Sequence, residues 1–474
     1  MTFSCPGSVP PVVLACVALA GCPSSSKIFL PVSETPCPSG EPTIVLLCPE
    51  DDAVGPGCRY QVDDRFYPCF DAGCDDALAS AQASCGTSPV DARVPDAADV
   101  SNDAVAIDMA VDGAMDAADG GPPECLDRRE VKMDLLLVVD NSGSMREEQE
   151  SLAADIPEIV SALFQGEVGD VSFQPVSDLR VGVVSSDLGT GNLGNLCVEP
   201  NGGDDGRLLR GSGCEDAAPF LGFRADEGSE DSFVSNVACR TQLGTIGCGF
   251  EQQLDSMLKA VTPASSALRF TGATTTGNED TAEQDFVRDD AILAIVMLTD
   301  EDDCSAVDPA IFRQDNSTRP ELNDPRLNLR CSTILYGGDD EIIHPVSRYI
   351  QGLLALKARP DQVLFAAIAG IPPDLSPVEA DFSPLVGDDL DPRLIERTQN
   401  AALGGDPSLL EPSCDQRASG RGLAFPPTRI AQVAAGLANE GAGASVSSIC
   451  GDTYVAGLAP FFAHLARLDD LECP

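Results

Sequence analysis

From residue 131 onward the chain alternates between two hydrophobic patterns. Met133 to Val139 is a near-continuous apolar run, as expected of a strand buried on both faces of a parallel sheet. The next segment repeats its apolar residues at helical spacing, with Leu152, Ile156, Ile159, Val160, Leu163 and Phe164 on one face. The same patterns predict further strands at 179–184, 291–298, 363–369 and 445–449. Helices are predicted at 250–261, 345–356, 429–438 and 460–468; in the first, Phe250, Leu254, Met257, Leu258 and Val261 share a face. Apolar strands alternating with amphipathic helices predict an α/β fold, a doubly wound and mostly parallel sheet. Long connections at 187–243, 302–340 and 371–426 interrupt it. They carry many of the cysteines, so disulfides are expected to pin them.

Upstream of residue 125 the patterning fades. Val12 to Ala20 is apolar but well short of the roughly 20 residues that span a bilayer, and it suits the core of a secretory signal. It has no Lys or Arg before it, unlike the usual basic start of such a signal, and it ends in Leu19-Ala20-Gly21-Cys22. That ending resembles a bacterial lipobox, and the resemblance implies that Cys22 is lipidated and becomes the first mature residue. The expected organisation is a lipoprotein signal peptide (1–21), a tether (22–36), a small disulfide-rich module (37–87), an acidic linker (88–124) and the α/β domain (125–474). Within the linker Asp, Ala, Val and Pro dominate and Arg93 is the one basic residue of 88–122. Such a segment buries little surface, does not recover its ordering entropy, and is stretched by its own charge.

Composition sharpens this picture in two respects. A net charge of −47 repels phosphate backbones and excludes a general nucleic-acid binder. Nineteen cysteines without one C-x-x-C pair favour disulfides, and so an oxidising compartment, over zinc sites. Setting aside Cys5, Cys16 and Cys22 leaves six cysteines between Cys37 and Cys85 and ten between Cys125 and Cys473. Both groups are even, as internally paired units require. Connectivity stays open.

The first predicted strand of the domain ends in Asp140-Asn141-Ser142-Gly143-Ser144, directly before a twenty-residue amphipathic helix. Open α/β sheets bind ligands outside the carboxyl ends of their strands. One carboxylate and two hydroxyls converge from that turn, with Gly143 expected to ease the backbone. Hard oxygen donors of this kind suit Mg2+, which keeps several waters at about 2.0–2.1 Å; Mn2+ and Ca2+ are the alternatives.

The run Val138-Val139-Asp140-Asn141-Ser142-Gly143-Ser144-Met145 resembles the metal-ion-dependent adhesion site of von Willebrand factor type A domains. The resemblance extends over about residues 131–470. It implies that Asp140, Ser142 and Ser144 hold a cation with a Thr from a second loop and an Asp from a third. Asp300, in Met297-Leu298-Thr299-Asp300, takes the third-loop role. Thr245, in Leu243-Gly244-Thr245 ahead of the 250–261 helix, takes the second, with Thr190 as its competitor. Glu301, Asp302 and Asp303 follow Asp300, and Asp187 precedes Thr190; each reads as a solvated loop charge or a recruiter of a second cation.

The resemblance further implies that a partner's Glu or Asp completes the metal sphere. The expected function is therefore a lipid-anchored adhesion or interaction module of the bacterial cell envelope, at the outer membrane or cell surface, whose ligand is a protein and neither a nucleic acid nor a small-molecule substrate. Pro23 after Cys22, in place of Asp, fits outer-membrane sorting. Two other classes stay open: a scaffold or assembly subunit with a vestigial metal site, and a metal-assisted hydrolase. An enzyme is not expected. The only histidines, His344 and His464, stand in structural contexts, and no H-E-x-x-H, nucleophile elbow or phosphate-binding loop occurs. The Asn316-Ser317-Thr318 sequon carries no weight behind a bacterial lipobox.

Overall fold

The computed structural model describes residues 131–469 apart from 191–202, 212, 215–217, 225–228, 280–284, 314–328, 332–341, 388, 402–404 and 418–421, together with four strands nearer the N-terminus. The chain divides into two units, residues 1–115 and 116–474. In the first, Phe29–Pro36 (β1), Thr43–Pro49 (β2), Arg59–Val62 (β3) and Arg65–Pro68 (β4) pair antiparallel in sequence order. Strand β1 lies inside the stretch read as a tether. The signal segment with Cys22, the pairing of the six N-terminal cysteines, the acidic linker and the Asn316 sequon fall outside the described residues.

The second unit is built on one six-stranded sheet. Its strands are Val131–Val139 (β5), Val176–Ser185 (β6), Leu221–Arg224 (β7), Ile292–Leu298 (β8), Val363–Ala369 (β9) and Gly443–Ser448 (β10). They lie in the order β10-β9-β8-β5-β6-β7. Every neighbouring pair is parallel except β6 and β7. The longer helices are Arg146–Gln165 (α1), Glu230–Arg240 (α2), Gln253–Val261 (α3), Ser347–Leu354 (α4), Thr428–Asn439 (α5) and Ala459–Asp469 (α6). Among the described residues no helix is long and apolar enough to cross a membrane.

Alternation along β5 divides the core into two layers. Met133, Leu135, Leu137 and Val139 pack with Leu152, Ile156 and Val160 of α1 and with Phe461, Phe462 and Leu465 of α6. Leu136 and Val138 face the other way, toward Leu254 and Met257 of α3, Leu353 of α4, and Ile430 and Leu437 of α5. Helices on both faces explain why the strands read as continuous apolar runs. Asp134 is the buried polar residue of β5. It is fully buried and accepts hydrogen bonds from the Arg288 backbone N–H at 2.6 Å and Nε at 2.8 Å.

Helix α1 stops where Gly166 enters the left-handed region at φ 71° and its N–H returns to the Ala162 carbonyl. A Cβ at that position would lie 2.4 Å from the Phe173 carbonyl oxygen, so glycine is required twice over.

The connection expected over 187–243 holds two further elements, β7 and α2. Strand β7 is four residues at the sheet edge, too short to show a period. Helix α2 buries only Phe233, Val237 and Arg240, and so lacks a wide apolar stripe. Disulfides join Cys214 to Cys239, Cys304 to Cys331 and Cys414 to Cys450. The first two lie within the connections expected over 187–243 and 302–340, and the third ties the connection over 371–426 to the turn after β10. Cys248 is also disulfide-bonded.

Topology places the site. From β5 the chain first adds β6 on one side, and later adds β8 on the other. The direction of winding therefore reverses between β5 and β8, which opens a crevice at their carboxyl ends. Asp140 and Asp300 leave those two strands.

Candidate metal centre

Asp140 is the first residue past β5 and is fully buried. Its backbone N–H donates to the Leu298 carbonyl at 2.9 Å, which extends the β5–β8 ladder one step beyond the strands. Its carboxylate is held from three directions. Oδ1 accepts from the Ser142 N–H at 2.8 Å and from Ser186 Oγ at 2.9 Å. Oδ2 accepts from Thr299 Oγ1 at 2.6 Å. The hydroxyls of Ser142 and Ser144 stand 3.4 Å apart, so the three first-loop residues converge as their spacing predicts. Gly143 has an ordinary φ, and a Cβ there would meet nothing within 4 Å. The expected need for glycine at that position is not met.

Asp300 is buried, and its Oδ1 has no hydrogen-bond partner. Burial, then the charge of Asp140, then that of Glu301 push its carboxyl well above the ordinary range, against a hydrogen bond from Ser144. Burial likewise raises Asp140, opposed first by the Thr299 hydroxyl. Glu251 is raised well above its ordinary value by burial and then by the charges of Glu301 and Asp140. Burial and Asp140 push Glu301 to about 7. Among the described residues no Lys, Arg or His side chain forms an ion pair with any of these four carboxyls.

Buried carboxylates without a compensating charge are costly. A divalent cation would supply that charge, and the donor set is of the kind that suits one: two carboxylates and several hydroxyls, all hard oxygens. No group of three or more His, Cys, Asp or Glu side chains among the described residues is disposed to hold a metal. The candidate set contains only two such residues, Asp140 and Asp300, because its other members are hydroxyls.

The second-loop candidates lie in two different connections that both touch the first loop. Gln149 of α1 grips the Asp140 carbonyl at 2.8 Å through Nε2 and the Gly244 carbonyl at 2.9 Å, while its Oε1 accepts from the Gly244 N–H at 3.0 Å. The Gly247 N–H donates to the Asn141 carbonyl at 2.9 Å. A Cβ on Gly247 would lie 2.2 Å from Asn141 Oδ1, so only glycine permits this approach. Thr245, part-exposed, sits between these two anchors. Thr190 is buried, next to Gly189, whose carbonyl accepts from Gln252 Nε2 at 2.9 Å.

Several acids read as solvated charges or cation recruiters are structural instead. Asp303 is fully buried and accepts from the Leu254 N–H at 2.9 Å and from Arg429 Nε at 3.1 Å. Asp302 accepts from the Arg429 N–H at 3.0 Å and the Ile430 N–H at 3.4 Å, at the N-terminus of α5. Asp187 is buried and accepts from the Gly189 N–H at 3.0 Å. Ser186, Thr299 and Gln149 were not singled out by the sequence. The signal available for the first two was a hydroxyl residue just past each strand that flanks β5.

Both histidines are held in structural contacts. His344 lies 3.6 Å from Asp255 Oδ2, and burial followed by the charges of Arg348 and Arg429 lowers it to about 3. His464 is mostly buried beside the Asp361 carbonyl, and burial lowers it too.

No family model matches the chain, and no curated protein matches it. Among solved structures it is similar to two of proximal thread matrix protein 1 from the mussel byssus. The crystal form 2 structure shares 14% identity over 52% of this chain and 39% of that one, with a TM-score of 0.22. The structure with a zinc-occupied MIDAS motif shares 14% identity over 52% of this chain and 64% of that one, with a TM-score of 0.19. This chain thus spans less than two thirds of either. At those TM-scores the likeness carries no weight, and the site stands on its own geometry.

Proposed function

We propose that the second unit is a domain of the von Willebrand factor type A kind, which binds a divalent cation through Asp140, Ser142, Ser144, Thr245 and Asp300 and captures a protein partner by an acidic side chain. Mg2+ is the expected ion, with Mn2+ or Ca2+ as alternatives. In this reading the chain is anchored through a lipid on Cys22 at the bacterial outer membrane or cell surface, acts as an adhesion or interaction module, and catalyses no reaction.

One observation supports the metal above all: the partnerless Oδ1 of buried Asp300, beside a buried Asp140, with no cationic side chain among the described residues paired to either. The bound ion supplies an electrophilic centre able to accept a carboxylate oxygen. The chain's own residues do the rest. Asp140 fixes the Ser142 backbone and the Ser186 and Thr299 hydroxyls, so the first and third loops are already aligned before a ligand arrives. Thr245 is preferred to Thr190 because it is part-exposed between two anchors of the first loop, and an open coordination position must face solvent.

A pull-down from surface extract, with magnesium against chelator, tests the function. Partners retained only with magnesium, and lost with Asp140→Ala, are the expected result. Capture that survives both chelation and Asp140→Ala removes the metal from the mechanism and favours a scaffold with a vestigial site. Loss of labelled palmitate from a Cys22→Ala chain tests the anchor.

A further inference from the structure

Strand β10 forms one edge of the six-stranded sheet, and its outer side is covered over only part of its length. The segment before the short helix Ser383–Val386 runs antiparallel to it. Val378 exchanges both backbone hydrogen bonds with Val446, at 2.8 and 2.9 Å, and Ser376 Oγ accepts from the Ser448 N–H at 2.9 Å. Backbone groups alternate in direction along a strand, so the outward residues of β10 are Val446, Ser448 and, two places earlier, Ala444. Continued antiparallel pairing would bring Ala380 opposite Ala444. The chain turns away after Val378 instead, and no group among the described residues meets the outward N–H and C=O of Ala444.

Where that segment departs, a cleft of about 480 Å3 opens between it, β10 and the C-terminal halves of α5 and α6. The volume is within the range of pockets that hold ligands. Ala435 and Ala438 of α5 line it together with Ala442 and Ala444, and none of these side chains is large enough to fill it. An unpaired donor and acceptor on an edge strand form a template for another strand, and the cleft beside them has room for the side chains that such a strand brings. The open stretch is short. On one side Val378 ends it, and on the other the Ala442 N–H already donates to the Leu437 carbonyl at 3.0 Å.

Charge narrows what can sit there. Glu379 and Asp381 line the cleft from the departing segment, and Arg467 lines it from α6. Arg467 already faces Glu379 at 3.7 Å, so one negative charge is left in excess, and the net charge of −47 on the whole chain draws cations toward it. We propose that the cleft binds a short extended segment of a partner protein, which adds to β10 through both backbone groups of Ala444 and carries a Lys or Arg toward Glu379 and Asp381. The site takes no metal. It lies at the amino end of β10, whereas Asp140 and Asp300 leave the carboxyl ends of strands parallel to it.

A displayed library of random linear heptapeptides, panned on the full chain in chelator so that the metal position takes no part, supplies the probe. Binders are expected to be enriched in Lys or Arg. Their affinity, read by fluorescence anisotropy of synthetic copies, should fall about tenfold for Ala444→Pro, which removes the outward N–H but no bond to β9. A second variant, Ala438→Leu, fills the cleft from a helix that accommodates leucine and should weaken binding at least as much. Asp381→Asn keeps the acceptor for the Ser383 N–H and should weaken binding about threefold, and less at high salt. Peptides that bind all four chains equally sit elsewhere and overturn the site, as does a library that yields no binder. Loss of binding with both cleft variants, but with no enrichment of Lys or Arg and no effect of Asp381→Asn, overturns the basic occupant.

Discussion

Gln149 and Gly244 are joined at both ends of one carboxamide: the side-chain Nε2 donates to the Gly244 carbonyl at 2.9 Å, and Oε1 accepts from the Gly244 N–H at 3.0 Å. The same Nε2 reaches the Asp140 carbonyl at 2.8 Å. A single buried side chain therefore sets the distance between the first loop and the loop of Thr245, although it touches no metal position itself.

Replacing it tests that role. Gln149→Leu keeps the volume and leaves the Asp140 and Gly244 backbone groups without their partner. The expected cost is about 1–3 kcal/mol of stability, typical of buried polar groups left unpaired. Magnesium affinity should fall about tenfold as the second loop drifts. Denaturant titration in chelator measures the first quantity and calorimetry the second; unchanged affinity in a destabilised variant would show that the two loops are aligned by other contacts.

Asp300 should behave oppositely with and without metal. In chelator its buried charge faces Asp140 and Glu301 with no cation to offset it, so Asp300→Asn is expected to raise stability. With free magnesium at about 100 times its dissociation constant, the wild-type chain gains about 2.7 kcal/mol by mass action, and Asp300→Asn gains none. Thermal unfolding of both chains in chelator and in magnesium gives the comparison. A variant that is less stable in chelator would mean that Asp300 is stabilising without an ion.

The sheet was largely legible because its strands are buried on both faces. Runs such as Met133 to Val139 and 363–369 have few other interpretations, and β9 spans the same residues as expected. Sequence put Asp140 at the rim where ligands bind because it ends an apolar strand, and Asp300 there through the resemblance of its loop; both are buried in the structure. The partners of Asp140 were not legible. A hydroxyl that donates to a carboxylate needs no particular sequence spacing, and Ser186 and Thr299 come from positions 46 and 159 residues away. Distance in sequence also hid the fate of Asp303, whose partners Leu254 and Arg429 lie 49 and 126 residues off. An acidic run looks solvated until the fold brings a helix terminus and a guanidinium to it.

Glu279 gives the second unit a pH dependence unrelated to the metal. Its Oε1 accepts from the Phe286 and Val287 backbone N–H groups at 2.7 and 2.9 Å, and its Oε2 is buried without a partner. Burial raises the carboxyl from 4.5 to about 7. Between those values the folded chain keeps a proton that the unfolded chain has lost. The group's contribution is therefore fully present below pH 4.5 and is lost as pH rises through about 7. Glu279→Gln keeps the accepting oxygen and removes the ionisation. In chelator, it should match the wild type near pH 4 and exceed it by roughly 2–3 kcal/mol at about pH 8. Parallel stability curves for the two chains across that range would refute the assignment.

The Asp134–Arg288 pair anchors the opposite end of β5 from the metal position. Asp134 is wholly buried, and Arg288 meets it through its backbone N–H and its guanidinium. Burial raises the Asp134 carboxyl, and the charge of Arg288 is the largest effect that opposes it. Arg288→Met removes the guanidinium and strands the carboxylate, at an expected cost of about 3–5 kcal/mol. Asp134→Leu in the same chain removes the stranded charge, so the double variant should regain most of that stability. Recovery is expected because the pair's net worth is small compared with the penalty of leaving one member alone. If the two substitutions instead cost the sum of their separate effects in denaturant titration, Arg288 must be stabilising through its other contacts, the ion pair with the Asp178 carboxylate at 2.7 Å and the hydrogen bonds to the Met133 and Asp178 carbonyls at 3.0 and 3.3 Å. Magnesium affinity, read by calorimetry, should follow neither change. Leu135 to Val139, all buried, lie between Asp134 and Asp140, and their packing holds Asp140 in place whatever closes the far end of the strand.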